Sequence, residues 1–244
     1  HIAASGNYNL FTTTNATYDP TLHVEDCTVD AAYNVVYDSH NTQNFKSVYF
    51  GNSIVKMTVA NKPFYSTKAK DAHMQQLIRL DNNVFYAETP LQNYLINCGD
   101  RSQAFQTTRL QVEVTNNTIY NIYQPNIMIR AYVLAGLTVT KNVGYYTGVT
   151  AKNYLTGVYD TAGFTADKAE VTYNYLYTAP VSDTNFWSAK HTGSYTPANN
   201  QMGDGVEAPF SSMDAAKGYF PVDASVVKTG AGATYDTKAW FKAE

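Results

Sequence analysis

A repeated ten-residue pattern constrains this chain more than any other feature. Residues 77–86 (LIRLDNNVFY), 111–120 (QVEVTNNTIY), 136–145 (GLTVTKNVGY) and 168–177 (KAEVTYNYLY) share it. Take the shared asparagine as position zero: Asn83, Asn117, Asn142 and Asn174. Apolar side chains then stand at −5 and −3 and usually at +2, and Tyr86, Tyr120, Tyr145 and Tyr177 stand at +3. Two weaker copies lie upstream, one with Asn52 at zero and Ile54 at +2, the other with Cys27 at zero and Leu22, Val24 and Val29 inward. Successive zero positions are 25 to 34 residues apart.

Apolar residues alternating with polar ones have the period of a half-buried strand, not of a helix. A unit of this length is too short for a propeller blade and suits one β-helix coil, about 20 residues of strand plus a loop. The expected fold is all-β: a single-stranded right-handed parallel β-helix, or solenoid, of about six coils with a C-terminal cap. The zero asparagine would sit in the bend after its strand, where Asn tolerates a left-handed backbone. Stacked, Asn52, Asn83, Asn117, Asn142 and Asn174 would form a hydrogen-bonded ladder ending at Cys27. Further strands are expected at 34–37, 62–65, 94–97, 126–129 and 153–156. Short helices are expected within 69–80 and at 212–218, the latter stopped by Gly218. One domain spans 1–244, with a lead-in at 1–21, coils at 22–180, a polar long loop at 181–204, and a cap at 205–244 holding Trp240.

Only 15% of the residues are charged, against about 25% in an average soluble domain. The 21 tyrosines and 22 asparagines must supply much of the surface, a composition suited to sugars. A net charge of −3 without a basic run argues against nucleic acid. No apolar run is long enough for a transmembrane segment. Residues 1–6 (HIAASG) lack the regions of a secretory signal, and opening on His reads as a processed chain, so secretion stays open. Cys27 and Cys98 make no disulfide framework; buried free thiols are expected, with a single Cys27–Cys98 bridge as the alternative. The five histidines show no metal-ligand spacing.

Outward positions −4 and −2 form rows along the axis: His23 and Glu25, Val48 and Phe50, Arg79 and Asp81, Glu113 and Thr115, Thr138 and Thr140, Glu170 and Thr172. Arg79, Asp81 and Glu113 are the candidate catalytic group, with Asp81 and Glu113 as candidate Ca²⁺ ligands. A solvated strand face carrying one Arg79–Glu113 pair weighs more heavily, because such pairs are common. Among the central basic residues Arg109, Arg130, Lys141 and Lys152, no spacing picks out a base. For stacking on sugar rings the candidates are Trp187, Tyr154 and Tyr159. The +3 tyrosines are expected to stack on one another instead.

The Asn-x-apolar-Tyr rungs, with the tail Pro209-Phe210, Gly218-Tyr219-Phe220 and Gly230-Ala231-Gly232, resemble the pectate-lyase-like β-helix modules of Bacteroidota surface proteins over residues 22–244. Tyr219 stands where those modules usually carry Asp. The resemblance implies a secreted or cell-surface module of a polysaccharide-handling system. The function expected is polysaccharide binding without catalysis, with no cofactor or with Ca²⁺. A polysaccharide lyase, or less favoured a glycoside hydrolase, working over the central coils is the first alternative, and a structural or adhesive stalk the second. Oligomeric state leaves no mark on the sequence.

Overall fold

The structure, a computed structural model, describes residues 2–4, 9–13, 20–31, 33–38, 45–67, 77–98, 110–124, 127–131, 134–146, 153–158, 168–178, 184–187, 195–203 and 208–234. Alternation places Ile78, Leu80, Val112, Val114, Val139 and Val171 inside, each 0% exposed. Their strands pair in parallel between successive coils, because one coil cannot bury its own apolar face. Three sheets result, forming a right-handed β-solenoid. The first comprises Thr21–Glu25, Ser47–Gly51, Leu77–Asp81, Leu110–Thr115, Leu134–Thr140 and Ala169–Thr172. The second comprises Ile2–Ala4, Thr28–Ala31, Ile54–Met57, Val84–Gln92, Thr118–Tyr123, Val143–Tyr146, Tyr175–Thr178 and Gln201–Met202. The third comprises Phe11–Thr13, Val36–Asp38, Tyr65–Thr67, Ile96–Cys98, Ile127–Ala131, Asn153–Val158 and Thr184–Trp187. Among the described residues six coils carry all three strands, and partial coils extend both ends. Phe11, Phe50, Phe64 and Phe85 stack edge to face through the core, with centroids 6.4, 5.0 and 4.8 Å apart.

The corner between the first and second sheets holds the ladder. Asn83, Asn117, Asn142 and Asn174 are each 0% exposed. The Oδ1 of Asn117 accepts the backbone N–H of Asn83 at 2.9 Å, and that of Asn142 accepts Asn117 N–H at 3.0 Å. The amide of Asn117 donates to Leu80 O, Thr115 O and Asn142 Oδ1. Asn142 and Asn174 repeat the pattern, and Asn200 adds a further member by accepting Asn174 N–H at 2.8 Å. A bend leaves backbone groups without sheet partners, and the amides supply them.

Asn52 is corrected by this register. Ser47–Gly51 pairs with Leu77–Asp81 so that Val48 meets Ile78 and Phe50 meets Leu80. Ser53 therefore occupies the ladder position: its N–H donates to Asn83 Oδ1, and its Oγ accepts Cys27 N–H. A slip of one residue flips every side chain, so Val48 and Phe50 point inward and are 0% exposed, while Tyr49 stands on the outer side and covers Gly51. The left-handed residue is also the one before the ladder position, with positive φ at Asp26, Asn52, Asn82, Asn116, Lys141, Tyr173 and Asn199.

Within the stretch expected to be loop, Thr184–Trp187 is a strand and residues 195–203 add the Asn200 rung. Residues 208–234 do not lie across the end of the stack. They run along the outer face of the second sheet, where Phe220 stacks on Tyr120 at 4.2 Å and Phe210 meets Tyr145 at 5.5 Å. The +3 tyrosines stack beneath, Tyr120 on Tyr145 at 5.6 Å and Tyr145 on Tyr177 at 4.9 Å. Residues 212–218 are not a helix: Asp214 and Tyr219 pair antiparallel around a turn closed by Gly218 at φ +66. Residues 69–76 and Trp240 lie outside the described residues. Both cysteines are free; Cys98 is buried, whereas Cys27 is half-buried with its thiol directed to Glu25 O. Among the described residues no helix is long and apolar enough to cross a membrane.

Candidate functional site

The outer face of the first sheet brings Arg79, Asp81 and Glu113 together. Arg79 Nε lies 3.6 Å from Glu113 Oε2, and its Nη2 lies 3.9 Å from Asp81 Oδ2. Asp81 Oδ1 also accepts from Thr115 Oγ1 at 2.5 Å and Asn116 Nδ2 at 3.1 Å, while Glu113 Oε1 accepts from Gln111 Nε2 at 2.6 Å. Glu25 lies two rungs from Asp81 and accepts from Asn52. Tyr49 folds over Gly51, where a Cβ would stand 2.2 Å from the phenol oxygen. Burial raises that phenol's pKa, Glu25 and Asp81 raise it further, and Arg79 opposes them. These carboxylates are already engaged with neighbouring donors. The Arg79 charge lies between Asp81 and Glu113 and pairs with both. Among the described residues no three of His, Cys, Asp and Glu converge.

The outer face of the third sheet is built differently. Register aligns Tyr37, Ser66, Asn97 and Arg130 on successive rungs. Arg130 donates Nε and Nη2 to Asn97 Oδ1 at 3.0 and 2.7 Å, and its guanidinium lies 4.5 Å from the Tyr94 ring centre. Lys62 Nζ lies 4.0 Å from the Tyr33 ring centre and donates to its hydroxyl at 2.6 Å. Asn93, 0% exposed, holds the corner: its amide donates to Val59 O and Lys62 O, and its Oδ1 accepts Tyr94 N–H. Tyr33, Tyr37, Lys62, Tyr94, Asn97 and Arg130 are all half-buried, so rings and cations are fixed yet open to solvent on one side.

Tyr154 belongs to this sheet, where it pairs with Ile127 and Asn185. Tyr159 lies outside the described residues. Trp187 is corrected: it is 6% exposed and packs on Tyr195 at 5.0 Å, so its ring is core and offers no face to a sugar. Tyr33, Lys62 and Tyr94 are not among the contacts the sequence suggests; the Asn93-Tyr94 pair at a corner is the available signal. No protein-family model, curated protein or solved structure matches this chain.

Proposed function

We propose that this chain is a secreted or cell-surface polysaccharide-binding β-solenoid, with the sugar chain lying on the outer face of the third sheet. The carrying observation is Arg130 laid on Tyr94 and fixed by both hydrogen bonds to Asn97. Ring faces beside fixed polar groups suit pyranose rings, which are apolar on their faces and hydroxylated at their edges. A planar guanidinium held in place loses little freedom on binding. The low charge and the Asn- and Tyr-rich composition fit an extracellular setting. The first-sheet carboxylates are paired with their own neighbours, which favours binding over catalysis.

Electrophoresis through gels holding arabinoxylan or polygalacturonate tests this reading. Retardation by one of them is expected, weakened roughly tenfold by Tyr94→Ala, as loss of one stacking contact of about 1.4 kcal/mol would give. Retardation lost on Arg79→Ala but kept in Tyr94→Ala would move the site to the first sheet. Release of unsaturated uronate or new reducing ends would replace binding with lyase or hydrolase action.

A further inference from the structure

At the corner between the first and second sheets, seven rungs place a residue in the left-handed region. Five of those residues are Asp or Asn, which tolerate it through local hydrogen bonds, and one is the unbranched Lys141. The seventh is Tyr173, at φ +56. A bulky aromatic there is an outlier, in a backbone state that the corner imposes on every rung and that clusters at ligand-binding sites.

Among the described residues neither core cluster uses this ring. Tyr173 is 43% exposed, one of three large apolar side chains so exposed among the described residues. It belongs to neither core cluster, and among the described residues its ring has no aromatic contact and its hydroxyl no hydrogen bond. Register sets exposed Lys141 on the rung before it and exposed Asn199 on the rung after it. A bare ring between an ammonium and an amide has the make-up of a sugar subsite, a stacking face with hydrogen-bonding groups at its edges.

We propose that Tyr173 is a second carbohydrate contact, stacking on one pyranose ring between Lys141 and Asn199. This deepens the polysaccharide-binding reading and rests on it. The corner is the one the third sheet does not touch, so the two contacts lie on opposite sides of the solenoid. One molecule then engages two sugar chains and links them, gaining avidity on a concentrated glycan.

The test compares wild type, Tyr173→Asn, Tyr173→Phe and Tyr94→Ala in gels holding arabinoxylan or polygalacturonate, and by light scattering of the same polysaccharides in solution. Tyr173→Asn should melt a few degrees higher, because it relieves the backbone, yet lose the scattering of linked chains and weaken retardation several-fold. Tyr173→Phe keeps the ring and should behave as wild type. If Tyr173→Asn melts higher with retardation and scattering unchanged, while Tyr94→Ala loses retardation, the Tyr173 contact is overturned and the third-sheet site stands. If Tyr94→Ala changes nothing and Tyr173→Asn abolishes retardation, the third-sheet site falls and Tyr173 alone is supported. A wild type retarded by neither polysaccharide overturns both.

Discussion

Asn117 shows what one side chain does at a coil corner. It accepts Asn83 N–H and donates to Leu80 O, Thr115 O and Asn142 Oδ1, all within a corner closed to water. Asn117→Ala would leave a donor and acceptors buried without partners, each costing about 1–3 kcal/mol. Chemical denaturation should show a loss of about 3 kcal/mol for Asn117→Ala. Asn52 gives the contrast. Its amide reaches Glu25 and its Oδ1 accepts from Asn82, both on the half-open outer row where water can replace them. Asn52→Ala should cost under about 1 kcal/mol. Equal losses for the two variants would mean that the outer row, not the buried ladder, holds the corner.

At the scale of elements, the C-terminal strap is closed by glycines whose surroundings differ. Gly232 has φ +102, and a Cβ on it would stand 2.4 Å from the Val222 side chain and 3.1 Å from that of Val143. Gly230 has φ +64 with nothing near its absent Cβ. Gly230→Ala should cost about 1 kcal/mol, the left-handed penalty alone. Gly232→Ala adds a clash with the second sheet and should cost about 3 kcal/mol, with a weakened near-ultraviolet signal from the tyrosine stack. A signal unchanged in Gly232→Ala would show that the strap does not order those rings. Strand period, coil length, ladder and tyrosine stack were all legible because they repeat locally. At the second rung Asn52 matches the motif but Ser53 serves the same bond, and alignment on Asn52 leaves apolar Val48 and Phe50 outside. The strap suggests an end cap in the sequence because its lateral contact with residues far upstream leaves no periodic trace. The polar flanks of Trp187 conceal a buried ring. The third-sheet patch escaped because loops of unequal length separate Tyr33, Lys62, Tyr94 and Arg130, so no fixed spacing joins them.

Across the whole molecule, three faces have three fates: the second sheet is covered by the strap, the first is engaged in its own polar network, and the third presents rings and cations. The covered face makes stability depend on alkaline pH. Burial, followed by the charges of Asp30, Glu88 and Asp214, pushes Tyr86 up to about 12 from the ordinary 10.0. Burial also raises Tyr145, helped by Tyr177 and Tyr120, and burial alone raises Tyr146. Below pH 10.0 folded and unfolded chains both keep these protons, so the contribution is fully present. As pH climbs past that value the unfolded chain releases phenol protons that the fold still holds, and stability falls until Tyr86 ionises near 12. Thermal melts taken upward through this window should therefore drop steeply, and Tyr86→Phe, which has no proton to lose, should drop less. Parallel curves for wild type and Tyr86→Phe would mean that the phenol under the strap titrates as it does in water, and that the strap stands open at that rung.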